Sequence, residues 1–198
     1  HCSKAVGETT KDDSIFTWGD QGWGGKLPDI PKDRKVKMVY ATDTAFCAQL
    51  DDDSLFTWGN EDQGGSLPHF SNKTSIQTIF STAYAFCALF EDGKIETWGD
   101  LTYGGKTPQL KADQTVTTVY SNVFSFCAVL NDKNLICWGD PARGGTLPDV
   151  SDLSPDAIFS TDSAHCLVAN DSLTTWGDPS NGVDNTPETK KPIAYWGN

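Results

Sequence analysis

The dipeptide Trp-Gly recurs at Trp18, Trp58, Trp98, Trp138 and Trp176, at intervals of 40, 40, 40 and 38 residues. Self-similarity at a period of 20–50 residues marks a repeat architecture, so this spacing constrains the fold more than any other feature. Each of these pairs is followed by Asp20, Asn60, Asp100, Asp140 or Asp178. A Gly pair comes next, at Gly24-Gly25, Gly64-Gly65, Gly104-Gly105 and Gly144-Gly145, and is reduced to Gly182-Val183 in the last copy. Pro28, Pro68, Pro108 and Pro148 follow, and Pro187 closes the same stretch in the last copy. A further Trp-Gly at Trp196 falls out of phase.

The second half of each copy is apolar and β-branched: VKMVY, SIQTIF, VTTVY, DAIF and PIAY. AFCAQL, AFCALF, SFCAVL and AHCLVA come next, each running into an Asp- or Asn-containing turn and then the next Trp-Gly strand. Short β-branched runs between Asp, Asn and Gly clusters are hairpin signals. No window holds the i, i+3, i+4, i+7 pattern of an amphipathic helix. A unit of about 40 residues cannot bury its own small sheet, so neighbouring units must cover it.

These signals predict an all-β chain folded as a single domain over residues 1–198, a five-bladed β-propeller of ~40-residue repeats. The repeat units run over about 14–53, 54–93, 94–133, 134–171, and 172–198 plus 1–6. The last blade is expected to be closed by the N-terminal strand. His1-Cys2 matches His165-Cys166, while the other end stops soon after PIAY. An unfilled strand edge would invite association, which leaves the chain open to self-assembly through strand exchange.

The order Trp-Gly, Gly-rich turn, Pro, Val-x-x-Val, small-residue strand and acidic hairpin resembles the regulator-of-chromosome-condensation repeat, along the whole chain. The resemblance implies a propeller fold, although family propellers usually carry seven blades. Phe46-Cys47-Ala48-Gln49-Leu50 and its copies stand where the family has His-Ser-x-Ala-Leu, and only His1 and His165 keep the His. The family's nucleotide-exchange activity at chromatin does not follow from the fold. In blade number the chain is also similar to five-bladed tachylectin-type lectins.

A net charge of −12 opposes contact with phosphates or an anionic membrane. No apolar run approaches the ~20 residues of a membrane span. No nucleophile elbow, P-loop, dinucleotide fingerprint or calcium loop occurs, which points away from an enzyme and from a cofactor. The acidic residues gather at hairpin turns, where Asp and Asn bond their own backbone.

Cys2, Cys47, Cys87, Cys127 and Cys166 read as one repeat position, suited to a small buried residue. Cys137 stands where the other copies have Thr17, Thr57, Thr97 and Thr175. Cys127 and Cys137 flank the turn at Asn131-Asp132-Lys133 symmetrically and form the candidate disulfide. His1 and His165 align, and a free N-terminal His carries both an amine and an imidazole. A copper site at His1 and His165 is therefore the alternative reading.

One loop position varies inside an otherwise kept motif, the residue before the Gly pair: Trp23, Gln63, Tyr103, Arg143 and Asn181. Loops on a rigid scaffold are where binding residues concentrate. These five are the candidate ligand-binding rim. Asn72-Lys73-Thr74 and Asn170-Asp171-Ser172 are N-glycosylation sequons, and the chain begins at His1 rather than Met. The expectation is a processed, secreted or cell-surface glycoprotein. It would be non-enzymatic, a binding or structural module for protein or glycan partners, with no nucleic-acid partner and no membrane insertion.

Overall fold

The strands fall where the β-branched runs and their turns place them. The computed structural model describes residues 5–9, 15–150, 153–181 and 183, with only the backbone over 5–9. The chain divides into two compact units, His1–Gln109 and Leu110–Asn198. The first holds β1 (Ala5–Thr9), β2 (Ile15–Gly19), β3 (Val36–Ala41), β4 (Ala45–Leu50), β5 (Leu55–Gly59), β6 (Ile76–Ser81), β7 (Ala85–Phe90) and β8 (Ile95–Gly99). The second holds β9 (Val116–Ser121), β10 (Ser125–Leu130), β11 (Leu135–Gly139), β12 (Ala157–Ser160), β13 (Ala164–Ala169) and β14 (Ser172–Gly177). Four three-stranded antiparallel sheets result, β3-β4-β5, β6-β7-β8, β9-β10-β11 and β12-β13-β14, with a two-stranded sheet β1-β2. The protein is all-β, and its described helices are single 3₁₀ turns.

Each three-stranded sheet takes the Val strand, the Cys strand and the Trp-Gly strand that follows them. The units drawn from sequence at 14–53 and onward therefore cut between hydrogen-bonded neighbours. A cyclic pattern has no natural starting point, and the short acidic turn joins the Cys strand to the next Trp-Gly strand as a hairpin. Ala48 faces Phe56 and Cys47 faces Thr57 across one such hairpin.

Ala5–Thr9 pairs with Ile15–Gly19, with Val6 opposite Trp18 and Gly7 opposite Thr17. In the next sheet Phe46 faces Trp58 and Cys47 faces Thr57. Gly7 thus holds the repeat's Cys position and Val6 its Phe or His position. The matching of His1-Cys2 with His165-Cys166 is out of register by five residues. Residues 5 and 6, which the sequence reading gave to the last blade, lie in the first hairpin. His1 and Cys2, and the C-terminal strand around Tyr195, lie outside the described residues.

The central strands of the second and third sheets in the chain, β4 and β7, are covered on both faces. β4 and β7 are buried at every position, and apart from Gln49 they carry only Ala, Cys, Phe and Leu, with small and large residues mixed on both sides. Packing follows one rule within each unit. Trp98 and Phe86 of one sheet join Cys47, Tyr40 and Leu55 of the preceding sheet. Trp176 and Leu167 likewise join Cys127, Tyr120 and Leu135. The Trp stacks on the ring beside it: Phe46–Trp58 at 5.4 Å, Phe86–Trp98 at 5.1 Å and Phe126–Trp138 at 5.3 Å.

Candidate functional site

The rim begins with the Asp or Asn after each Trp-Gly. The Asp20 carboxylate accepts from the Gly22 N–H at 2.9 Å and that of Asp100 from the Thr102 N–H at 2.8 Å. In the second unit Asp140 accepts from Ala142 N–H at 2.9 Å and Asp178 from Ser180 N–H at 2.9 Å. A capped 3₁₀ turn follows each of them. The turns are Gln21–Trp23, Glu61–Gln63 and Leu101–Tyr103 in the first unit, Pro141–Arg143 and Pro179–Asn181 in the second. Trp23, Gln63, Tyr103, Arg143 and Asn181 are the last residues of these turns, one backbone position repeated five times.

The backbone there is held from below. Thr42 Oγ1 donates to the Gln63 carbonyl at 3.4 Å and Thr82 Oγ1 to the Tyr103 carbonyl at 2.9 Å. In the second unit Asn122 Nδ2 and Ser125 Oγ both donate to the Arg143 carbonyl at 2.9 Å. The next residue must be Gly. Gly64 has φ +108°, and a Cβ there would lie 2.7 Å from the Phe86 ring. The main chain is therefore fixed by buried contacts while one side chain per turn is left to vary.

The five side chains differ in freedom. Trp23 is half-buried and packs against the Ile15, Phe46 and Trp58 cluster, so it is partly a core residue. Tyr103 meets Tyr84 edge-on at 4.7 Å, beside a 70 % exposed Leu101. Arg143 lays its guanidinium 4.3 Å from the Phe124 ring centre and pairs with Asp140 at 2.9 Å. Asn181 Nδ2 donates to Asp178 Oδ2 at 2.9 Å.

His165 sits opposite Trp176, the position that Phe46 and Phe86 hold in their sheets. It is 1 % exposed. Its Nδ1 is 2.8 Å from Ser160 Oγ, and its Nε2 is 3.1 Å from Ser125 Oγ and 3.4 Å from Asn122 Nδ2. Burial lowers its pKa to about 4, so the ring is neutral at pH 7. Both nitrogens are engaged inside the fold, and His1, its expected copper partner, lies outside the described residues. Among the described residues no group of three or more His, Cys, Asp or Glu is placed to hold a metal ion. Sequence reasoning passed over Asn122, Ser125 and Ser160. Their signal is a joint change, with Thr42 and Ala45 beneath Phe86's turn becoming Asn122 and Ser125 beneath His165's.

Cys47, Cys87 and Cys127 are fully buried, and burial raises the thiol pKa of Cys47 and Cys87 well above its ordinary value. Cys127 and Cys137 face each other across β10 and β11 with sulfurs 2.8 Å apart. The sequence-expected pair is thus brought face to face, here as two free thiols. Of the sequons, Asn72 is half-buried and donates Nδ2 to both Asp92 carboxylate oxygens at 3.1 and 3.2 Å. Asn170 is exposed at a hairpin tip with φ +50°.

An open cleft of about 540 Å³ beside Asn72 is lined by Asp92 and Glu96. Both carboxylates are occupied locally, Glu96 by Ser71 Oγ at 2.9 Å and Asp92 by Asn72. No helix among the described residues is long and apolar enough to cross a membrane.

No family model and no curated protein matches the sequence. Solved structures do match. The ectodomain of the Physcomitrella patens receptor kinase CR4 aligns with a TM-score of 0.59 at 17 % identity, over 92 % of this chain and 52 % of that one. The CRINKLY WD40 ectodomain of the Arabidopsis thaliana receptor kinase ACR4 gives 0.60 at 16 %, over 91 % and 65 %. Prp20p of Saccharomyces cerevisiae gives 0.58 at 18 %, over 88 % and 55 %. The chain spans between half and two thirds of the length of these chains. At such identities the likeness is one of fold, and the fold is a propeller-like repeat architecture.

Proposed function

We propose that this protein is a non-enzymatic propeller module, its five sheets acting as five blades, that binds a protein or glycan partner through the 3₁₀-turn side chains. The observation that carries the reading is the contrast at those turns. The backbone is locked by buried Thr, Asn and Ser donors, while the last side chain, half-buried in Gln63, Tyr103 and Arg143 and exposed in Asn181, varies from turn to turn. Tyr103 on Tyr84 and Arg143 on Phe124 present rigid aromatic and cationic groups, the kinds that anchor interfaces at low entropic cost. A secreted or cell-surface setting is part of the proposal. It is supported by the exposed Asn170 sequon and agrees with two neighbours of this fold being receptor ectodomains.

The test is a glycan array and an affinity capture with the natively glycosylated protein, followed by titration of the partner found. Tyr103→Ala and Arg143→Ala are each expected to weaken binding at least tenfold, about 1.4 kcal/mol, without moving the melting temperature by more than a degree or two. Equal affinity in both variants removes the turns from consideration.

A further inference from the structure

Four of the turn residues have a counterpart 18 or 19 residues earlier, at the tip of the hairpin that leads into the Cys strand. The counterparts are Thr44 for Gln63, Tyr84 for Tyr103, Phe124 for Arg143 and Ser163 for Asn181. The backbone relation is the same in all four. In the first unit the N–H of Asn60 donates to the Thr44 carbonyl and that of Asp100 to the Tyr84 carbonyl, both at 2.9 Å. In the second, Asp140 donates to Phe124 and Asp178 to Ser163, both at 3.0 Å. Each turn then closes on the same capping residue. Gln63, Tyr103, Arg143 and Asn181 donate their N–H to its carbonyl at 3.0 or 3.1 Å. Two side chains thus start from one fixed frame in each repeat.

Those side chains vary as pairs. Where the turn ends in Tyr103 the counterpart is a ring, and the two tyrosines meet at 4.7 Å with their planes at 77°. Where it ends in Arg143 the counterpart is the Phe124 ring, with the guanidinium carbon 4.3 Å from its centre. Both rings are half-buried, and neither belongs to the core clusters around Trp98 and Trp176. Where the turn ends in an amide, Gln63 or Asn181, the counterpart is a small hydroxyl residue. Thr44 is 1 % exposed and Ser163 4 %, and the hydroxyl oxygen of each is buried without a hydrogen-bond partner. Neither hydroxyl therefore bonds the amide of its turn.

We propose that Tyr84 and Phe124 are positioning residues for binding, each holding the turn side chain of its repeat in one orientation before a partner arrives. Tyr103 and Arg143 are then the preorganised anchors of the rim. Gln63 and Asn181, which have no ring beside them, are polar contacts that adjust to the partner. The inference rests on the turn reading proposed above and extends it to the hairpin tips. An edge-on ring pair and a cation over a ring face are the arrangements that the aromatic quadrupole favours. A side chain ordered in the free protein has less freedom to lose on binding, and Arg is among those with most to lose.

The test compares Tyr84→Leu and Phe124→Leu, which stay apolar but lose the ring, with Tyr84→Phe and Phe124→Tyr, which keep it. One readout needs no partner: nuclear magnetic relaxation of the Arg143 Nε–H and of the Tyr103 ring. Each Leu variant is expected to release the side chain beside it, and each ring variant to keep it ordered. The second readout is affinity, with the glycan or protein returned by the array and capture described above as the probe. Each Leu variant is expected to bind it about three- to tenfold more weakly, and each ring variant as the wild type does. Tyr84→Met and Phe124→Met replace any Leu variant whose circular dichroism shows it unfolded. Side chains as ordered in the Leu variants as in the wild type overturn the inference. So does wild-type affinity in the Leu variants when Tyr103→Ala and Arg143→Ala bind weakly, and the turn reading survives both results. Wild-type affinity in Tyr103→Ala and Arg143→Ala removes the turn reading and this inference with it.

Discussion

Trp176 donates its indole N–H to the carbonyl oxygen of Gly144 at 3.1 Å, a buried bond across 32 residues of sequence. Trp58 makes the same bond to Gly24 at 3.0 Å and Trp98 to Gly64 at 3.1 Å. The most regular dipeptide of the sequence is thus paired with the second most regular one. The turn carbonyl that a packed interior would leave unsatisfied has a donor in the next sheet.

Trp98→Phe keeps an aromatic ring but removes the indole donor and part of the buried volume, orphaning the Gly64 carbonyl. The expected cost is about 1–3 kcal/mol. Gly64→Ala should cost about 3 kcal/mol or more, because it combines a positive φ with a Cβ pressed into the Phe86 ring. Urea denaturation of both variants checks the order, and a harmless Gly64→Ala would contradict the packing described.

The His165 network has a pH signature. Its folded pKa is about 4, below the ordinary 6.5. The unfolded chain therefore binds a proton between pH 6.5 and 4 that the folded chain does not, and stability falls as pH falls through that window, by about 3 kcal/mol in full. His165→Phe restores the residue found in the other three-stranded sheets. Asn122 and Ser125 keep the Arg143 carbonyl as a partner. The variant's stability should be flatter over this window than the wild type's, as measured by denaturation from pH 7 to pH 4. Parallel curves would mean that the ring is not buried in its neutral form.

Lys133 occupies a left-handed turn position at φ +64°, where the preceding hairpin has Gly93 at +75°. A side chain there costs about 1–2 kcal/mol, part of which glycine gives back through a freer unfolded chain. Lys133→Gly is expected to raise stability by about 0.5–1 kcal/mol, seen as a melting temperature a few degrees higher. A loss of stability would place this residue outside the left-handed region.

Oxidised glutathione should convert the facing thiols of Cys127 and Cys137 into a bond, two thiols giving one disulfide and two reduced glutathiones. The loop closed is short, so the gain is at most about 3 kcal/mol. Non-reducing peptide mapping should find this pair before any pairing of Cys47 or Cys87, which are fully buried in other sheets.

The period, the all-β class and the five turn residues were legible because each repeats in sequence. The register of the N-terminal strand was not. His1-Cys2 imitates His165-Cys166 in letters, but the pairing of Ala5–Thr9 with Ile15–Gly19 puts Val6 and Gly7 at the repeat positions of His165 and Cys166. The hairpin symmetry that joins Cys127 to Cys137 could be read from the turn between them, whereas their redox state could not. The Asn122, Ser125 and His165 network spans 43 residues and two sheets. Three unremarkable substitutions become one feature only after the sheets are stacked.

The central claim is that the turn backbones are structural and their last side chains functional. Its most direct test is the combined variant Gln63→Ala, Tyr103→Ala, Arg143→Ala and Asn181→Ala, measured for melting temperature and for partner binding in the same preparation. The expected result is a melting temperature within about 3 °C of the wild type, since these side chains are half-buried or exposed and the turn backbones keep their buried donors, together with loss of binding. A variant that unfolds, or one that binds its partner as the wild type does, would contradict the account.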